Sequence, residues 1–179
     1  MKVLVVVDAQ NDFISGSLGS ARAQETVEEV VKAIDDFNDE ETRIFVTMDT
    51  HDNSYLDTNE GRHLPTYHCL TCTQGWELNQ KIKAALRNSR AHVHYLVKST
   101  FGSLDLPKKL QDYLIPRDKL DITLVGYCTD ICVIANAVLL KTYFPEATVR
   151  VRADACCGTS ASRHYDACTV MESLQIEVE

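Results

Sequence analysis

Short runs of β-branched residues alternate with amphipathic segments along the chain, and this alternation limits the possible folds more than any other feature. Six runs are typical of strands: KVLVVVD, RIFVTMD, VHYLVK, DITLVGY, TVRVRAD and QIEV. The segments between them place apolar residues at helical spacing, as in the series Val27, Val30, Val31 and Ile34. Strands that alternate with helices predict an α/β fold of three layers, in which helices cover both faces of a six-stranded, doubly wound parallel sheet in the order 3-2-1-4-5-6.

The helical segments and one long connection complete this scheme. Helices are predicted over residues 23–37, 77–89, 106–114, 131–144 and 162–174. The helix over 131–144 is apolar nearly all round, which predicts that it is buried. The pair Cys156 and Cys157 is expected to lie beyond the fifth strand. The irregular connection over 50–75 is long enough to indicate a functional role.

Composition narrows the classes of function. A chain of 179 residues with 45% hydrophobic residues has the size and the core of one domain, predicted over 1–179. The formal charge of -8 weighs against a nucleic-acid partner, since no basic stripe is present to neutralise phosphates. The first apolar run is too short for a signal sequence, and no run approaches membrane-spanning length, so we expect a soluble cytoplasmic protein without a membrane partner. The chain has seven cysteines, an odd number, so pairing within the chain leaves at least one of them free. In the expected cytoplasmic compartment thiols stay reduced, and a disulfide framework is therefore not favoured.

Chemically active side chains follow several of the predicted strands. Ligands of doubly wound sheets bind at the carboxyl ends of the strands, at the point where the strand order reverses. Asp8 follows the first strand, Lys98 ends the third, and the turn from Cys128 to Cys132 follows the fourth. Each residue alone has an ordinary explanation, since aspartate often forms turns and lysine is usually solvated. Because apolar runs precede both Asp8 and Lys98, however, burial should force them to pair.

The two cysteines after the fourth strand are predicted to have different roles. Cys132 is expected in the first turn of a helix, where the positive helix end favours a thiolate and lowers the pKa of the thiol. Cys132 is therefore the candidate nucleophile. The backbone N–H groups of Cys128 and Cys132 are candidates for an oxyanion hole. The alternative is a pair of buried structural thiols.

The long connection carries candidate metal ligands. Asp49 and His51 are two residues apart on extended backbone and so lie on one side of it. His68 is a candidate third ligand, and Glu60 a candidate fourth, for one divalent ion, with zinc favoured and iron or manganese also suited to this set. The alternative is a polar loop with exposed histidines. A zinc knuckle or redox pair at Cys69 and Cys72 is disfavoured, because the chain has no second C-x2-C.

Three motifs in order resemble those of the isochorismatase-like cysteine hydrolases, and within them the nicotinamidase branch. They are DAQNDF at 8–13, KSTFGS at 98–103 and GYCTDICV at 126–133. The resemblance implies a catalytic triad of Asp8, Lys98 and Cys132, and a cis peptide bond between Tyr127 and Cys128. It also implies substrate contacts at Phe13, whose ring would stack on the substrate, and at Tyr127. It assigns the metal to Asp49, His51 and His68, with Glu60 as the further ligand.

The activity that this resemblance implies is hydrolysis of a small carboxamide through a thioester. Nicotinamide, cleaved to nicotinate and ammonia in NAD metabolism, is the first candidate substrate. Because HLPTYHC places Tyr67 where nicotinamidases often carry tryptophan, another carboxamide, carbamoyl or ureide substrate is the alternative. A non-catalytic thiol redox or binding protein is the alternative from a different class. Cys132 argues against an isochorismatase proper, and the family resemblance implies a homo-oligomer.

Overall fold

A six-stranded parallel sheet forms the centre of the fold in the computed structural model, which describes residues 1–115 and 119–179. The strands are β1 Lys2–Val7, β2 Arg43–Asp49, β3 His92–Lys98, β4 Asp121–Tyr127, β5 Thr148–Cys157 and β6 Glu177–Val178. They lie in the order β3-β2-β1-β4-β5-β6, and every neighbouring pair is parallel. The predicted strand order is therefore confirmed.

Helices cover both faces of the sheet. They are α1 Asn11–Ile14, α2 Ala21–Glu25, α3 Val27–Asp36, α4 Asn59–His63, α5 Gln80–Asn88, α6 Asp105–Gln111, α7 Ile134–Tyr143 and α8 Ala161–Ser173. Residues of α3 and α5 pack on the face that carries Leu4 and Val6, whereas α6, α7 and α8 pack on the face that carries Val3 and Val5. This division follows from the alternation of side chains along β1. Among the described residues, no helix is both long and apolar enough to cross a bilayer.

Two predicted elements have different bounds in the structure. The single helix expected over 23–37 is divided into α2 and α3 at Thr26, whose hydroxyl donates a hydrogen bond to the Arg22 carbonyl at 3.0 Å. The fifth strand does not end before Cys156 and Cys157. After an irregularity in the pairing of β4 with β5, these two cysteines continue β5 beside Gly126 and Tyr127.

The prediction that the apolar helix over 131–144 is buried holds for only part of the helix. In α7, Asn136, Ala137 and Leu140 are buried, and most other positions are partly or fully exposed. The reason is that α7 covers one face of the sheet, so only one of its own faces meets the core.

Glycine at position 126 lets β1 and β4 approach each other at the switch point. Gly126 has a φ of 121°, and a Cβ built on it would lie 2.1 Å from the Val7 carbonyl oxygen. A side chain is therefore excluded both by conformation and by space. The close approach brings the residues after β1 and β4 together at one edge of the sheet.

Candidate active site and metal centre

Three side chains from three elements meet at the carboxyl edge of the sheet. Asp8 follows β1 with a φ of 46°, Lys98 ends β3, and Cys132 lies in the turn after β4. The Lys98 Nζ atom is 2.7 Å from Asp8 Oδ2 and 3.7 Å from Cys132 Sγ. The exposed fractions are 0% for Asp8, 7% for Lys98 and 5% for Cys132. The predicted pairing of Asp8 with Lys98 is confirmed, and the thiol lies beside the pair.

Burial and charge set the protonation of these groups. Burial raises the pKa of Asp8, although the Lys98 ammonium acts to lower it. Burial alone would lower the pKa of Lys98, but the Asp8 carboxylate, followed by Cys132, raises it above its usual range. The lysine is therefore an ammonium at neutral pH.

The predicted lowering of the Cys132 pKa is wrong. Burial raises the pKa of this thiol well above its ordinary value, and the negative charge of Asp8 raises it further, whereas Lys98 lowers it. The physical reason is that the thiol lies in a nearly dry site beside a carboxylate, so burial outweighs the helix end. This direction favours the thiol form of Cys132 over the thiolate.

The turn that carries Cys132 has its own geometry. Cys132 lies in a π-helical turn, Thr129–Val133, that precedes α7, and not in the first turn of the α-helix itself. The Cys128 carbonyl accepts hydrogen bonds from the N–H groups of Ile131 and Val133, at 3.1 and 3.0 Å. The peptide bond between Tyr127 and Cys128 is cis, as the resemblance implies.

The two aromatic residues expected to contact a substrate lie in different places. Phe13 is on α1, and its ring meets that of His68 edge-on with 5.7 Å between centroids. The Tyr127 side chain is instead fully buried in the core, and its hydroxyl donates to the Ala23 carbonyl at 3.1 Å. Because the alternation of β4 directs Tyr127 toward α2 and α3, a substrate contact by its side chain is not supported, and this expectation is corrected.

Asp49, His51 and His68 form a group whose ligand atoms all lie within 4.8 Å of one another. Asp49 Oδ2 is 2.9 Å from His51 Nε2 and 3.3 Å from His68 Nε2. The Nδ1 atom of His68 lies 2.9 Å from the Thr66 carbonyl, which fits a donor at Nδ1 and leaves the Nε2 lone pair free for a ligand bond. Two imidazoles and a carboxylate suit a divalent ion such as zinc, iron or manganese.

The negative charge of Asp49 also suits a bound cation. Burial raises the pKa of Asp49, but hydrogen bonds from His51 and His68 outweigh it, so the pKa falls below its usual range and Asp49 is a carboxylate. Asp49 Oδ1 lies 3.3 Å from Lys98 Nζ. The Asp49 carboxylate thus contacts both the two histidines and the Lys98 ammonium.

Glu60 borders the metal group from α4. Its Oε1 atom is 4.0 Å from His51 Nε2 and 3.8 Å from His68 Nε2. Burial, and then the charge of Asp49, raise the pKa of Glu60. The backbone of the next residue, Gly61, packs so closely that a Cβ on it would lie 2.1 Å from the Tyr55 carbonyl oxygen.

Two residues of the DAQNDF motif, Gln10 and Asp12, hold the segments of the candidate metal ligands in place, a role that the motif alone does not predict. Gln10 is fully buried; its Oε1 accepts from the Asp49 N–H at 2.7 Å, and its Nε2 donates to the Asp49 and Trp76 carbonyls, each at 2.8 Å. Asp12 Oδ2 accepts from the Cys69 N–H at 2.8 Å, next to His68. The one sequence signal for these roles is that Gln10 and Asp12 lie in the same motif as Asp8.

All seven cysteines are free in the structure. Cys69 is buried and Cys72 is exposed, and neither belongs to the metal group described above.

Known proteins share the fold of this chain. The isochorismatase domain family matches residues 2–179. An uncharacterized isochorismatase family protein, PncA of Bacillus subtilis strain 168, is 30% identical over 145 residues, which are 76% of this chain and 76% of that protein. The solved nicotinamidase PncA from Bacillus subtilis has a TM-score of 0.82 at 24% identity and covers 99% of this chain and 98% of its own. A pyrazinamidase of Pyrococcus horikoshii in complex with zinc has a TM-score of 0.79 at 24% identity, with the same coverage of both chains. The protein therefore belongs to the isochorismatase family.

Proposed function

We propose that the protein is a hydrolase of amide C–N bonds, a cysteine amidohydrolase formed by one domain over 1–179. The observation that carries this proposal is the contact of one buried ammonium, Lys98, with both the Asp8 carboxylate at 2.7 Å and the Cys132 thiol at 3.7 Å. A thiol, a base and a fixed positive charge are the groups that nucleophilic acyl transfer requires. Membership of the family, and the nicotinamidase and pyrazinamidase folds that the chain resembles, support the same chemistry.

The first half-reaction forms a thioester. Asp8 takes the proton of the Cys132 thiol, and the sulfur attacks the carboxamide carbon. The backbone N–H groups of Cys128 and Cys132 hold the oxyanion of the tetrahedral intermediate. When this intermediate collapses, the C–N bond breaks, Asp8 returns its proton to the nitrogen, and ammonia leaves. The raised pKa of Cys132 explains why the site needs a base beside the sulfur.

The second half-reaction frees the acid. Asp8 takes a proton from a water molecule, whose oxygen attacks the thioester carbon. The C–S bond then breaks and Cys132 regains a proton from Asp8. Lys98 keeps its own proton throughout and balances the negative charge that moves between the carboxylate and the sulfur.

Asp49, His51 and His68, with Glu60 as a further ligand, would hold one divalent metal ion, for which zinc is the first candidate. When bound, such an ion supplies a Lewis-acid centre for a lone pair of the substrate. The chain itself positions the ring of a bound substrate through Phe13, which packs beside His68.

Nicotinamide, hydrolysed to nicotinate and ammonia, is the substrate that we propose first. Two observations support nicotinamide: a nicotinamidase is among the solved structures with this fold, and the ring of Phe13 lies beside His68. Another carboxamide, carbamoyl or ureide compound is the second candidate, and Tyr67 supports it. This residue, in place of a tryptophan, is 44% exposed and donates its hydroxyl to the Asn53 carbonyl at 3.2 Å.

Ammonia release from a panel of carboxamides, carbamoyl compounds and ureides tests the proposal. We expect release from nicotinamide by the wild type and none by Cys132→Ala. Addition of hydroxylamine should divert the acyl group to a hydroxamate, which reports the thioester. A wild type that releases no ammonia from any compound, while its thiols oxidise reversibly, would instead support a non-catalytic redox protein.

We also propose that the protein acts in the cytoplasm as a homo-oligomer. Seven free cysteines support a reducing compartment. Exposed apolar side chains on the edge strand β3 and in the segment after it support self-association: Tyr95, Val97, Phe101 and Leu104.

A further inference from the structure

A fully buried asparagine lies one helical turn after the nucleophile. Asn136 is a lone amide in the apolar helix α7, and its side chain is 0% exposed. Its Nδ2 donates to the Cys132 carbonyl at 2.8 Å, and its Oδ1 accepts from the Ser103 N–H at 2.9 Å. A longer contact, 3.4 Å, joins Nδ2 to the Phe101 carbonyl. One side chain therefore connects the nucleophile turn with the segment that follows Lys98.

The topology of the sheet makes this connection significant. In the order β3-β2-β1-β4, two strands separate the strand that ends in Lys98 from the strand that leads to Cys132. No direct backbone ladder therefore sets the distance between the ammonium and the thiol. Two kinds of contact link the two segments directly: the contact of Lys98 with Cys132, and the hydrogen bonds of Asn136. The segment after Lys98 also packs on α7, where Gly102 lies against Ala135 and Leu139.

We propose that Asn136 is a positioning residue, which fixes the Cys132 thiol at contact distance from the Lys98 ammonium by bonding both segments. This inference rests on the proposed function, in which Lys98 stabilises the charge on the sulfur. A displacement of about 1 Å in a reacting geometry can lower turnover by roughly a hundredfold. Without the amide, the Cys132 carbonyl and the Ser103 N–H are both left in a buried site without these partners, so both segments are free to shift.

The alkylation of Cys132 by iodoacetamide, followed across pH, reports how strongly the Lys98 ammonium stabilises the thiolate, and it does not require turnover. Mass spectrometry of the peptide that contains Cys132 separates its alkylation from that of the other cysteines. Asn136→Leu, which keeps the size of the side chain and removes its hydrogen bonds, is the principal variant. Asn79→Ala is the control, because Asn79 caps α5 with a bond to the Lys81 N–H and belongs to a different helix.

We expect Asn136→Leu to be alkylated at least about tenfold more slowly than the wild type at neutral pH, with its pH profile displaced to higher pH. The same variant should show a kcat lower by roughly tenfold to a hundredfold, with KM changed less. In a Lys98→Met background, Asn136→Leu should cause no further displacement of the alkylation profile, since the group through which Asn136 acts is gone. Asn79→Ala should match the wild type in both measurements.

A solely structural role predicts a different result. Asn136→Leu would then unfold at a lower temperature, but well below that temperature its alkylation profile and kcat would match the wild type, and the proposal would be overturned. If Asn136→Leu does not fold, Asn136→Thr decides by the same criteria, because its hydroxyl can donate to the Cys132 carbonyl but is too short to reach Ser103 as well. If the wild type hydrolyses no amide, the proposed function fails, whereas the alkylation profiles still decide the role of Asn136.

Discussion

The Lys98 ammonium lies 2.7 Å from the Asp8 carboxylate, and both side chains are buried beside Cys132. An ion pair in such a site is stable only while both partners are present, because either charge alone would be costly to bury. The same ammonium is 3.7 Å from the sulfur. One cation therefore compensates whichever of the two groups is negative.

Replacement of Cys132 by alanine should lower kcat by roughly 10⁴-fold or more while the fold is retained, because the proposed nucleophile is lost. Cys128→Ala should stay within about tenfold of the wild type, since its proposed contribution is a backbone N–H, which the substitution preserves. Steady-state ammonia release, with circular dichroism as the check on folding, compares the two variants. Equal loss in both would show that the thiols share one role.

Lys98→Met should lower kcat by roughly a hundredfold or more and destabilise the protein by about 3–5 kcal/mol, because a buried carboxylate loses its partner. The Lys98 charge lowers the pKa of Asp8, so its removal should raise that pKa further. The acid limb of kcat/KM should then move to higher pH, since Asp8 must be ionised to act as the base. A pH profile with an unchanged acid limb would contradict the role of Lys98.

The sequence predicts the parallel, doubly wound sheet and the meeting of Asp8 with Lys98, because the alternation of strands with helices and the charges at the ends of apolar strands are local signals. Apolar strand runs and right-handed crossovers limit the topology, and a charge at the end of a buried strand needs a partner. For the pKa of Cys132, the position of the residue in the sequence predicts the wrong direction. Its direction depends on how dry the site is, and burial of a turn residue is a property of the tertiary structure.

Residues that act through distant contacts are the ones that sequence reasoning missed. Gln10 holds Asp49 across 39 positions of the chain, and Asn136 holds Ser103 across 33. A glutamine after a strand and an asparagine in an apolar helix mark buried polar groups that need partners, but spacing does not say which partners. Tyr127 shows the converse, since it adjoins the site in sequence while its ring lies in the core.

The metal group should bind one divalent ion. His51→Ala should lose it after dialysis, and Glu60→Gln should bind it at least about tenfold more weakly, because Glu60 Oε1 lies 4.0 and 3.8 Å from the two imidazole nitrogens. His63→Ala is the matched control, since this exposed histidine of α4 bonds the Asn59 carbonyl. Elemental analysis after equilibration with zinc measures occupancy. A wild type that takes up no metal would exclude the site, whereas unchanged affinity in Glu60→Gln would remove only that ligand.

His94 should make the stability of the protein depend on pH. Its ring stacks on Phe45, with 5.0 Å between centroids, and lies 4.9 Å from the ring of Tyr113. Burial, followed by the charge of Arg43, lowers the pKa of His94 below its ordinary value of 6.5.

The lowered pKa of His94 determines how the free energy of unfolding changes with pH. Because the folded-state pKa of His94 is depressed, the unfolded chain binds more protons, and the free energy of unfolding should fall as pH drops through about 6.5 toward the folded pKa. One such group contributes a slope of at most about 1.4 kcal/mol per pH unit.

Urea unfolding at several pH values between about 5.5 and 7.5 measures this slope. His94→Phe should unfold with a shallower pH dependence than the wild type over this window, and the comparison cancels the contributions of His68 and His164, which are present in both proteins. Parallel pH curves for the two proteins would show that His94 titrates alike in the folded and unfolded states.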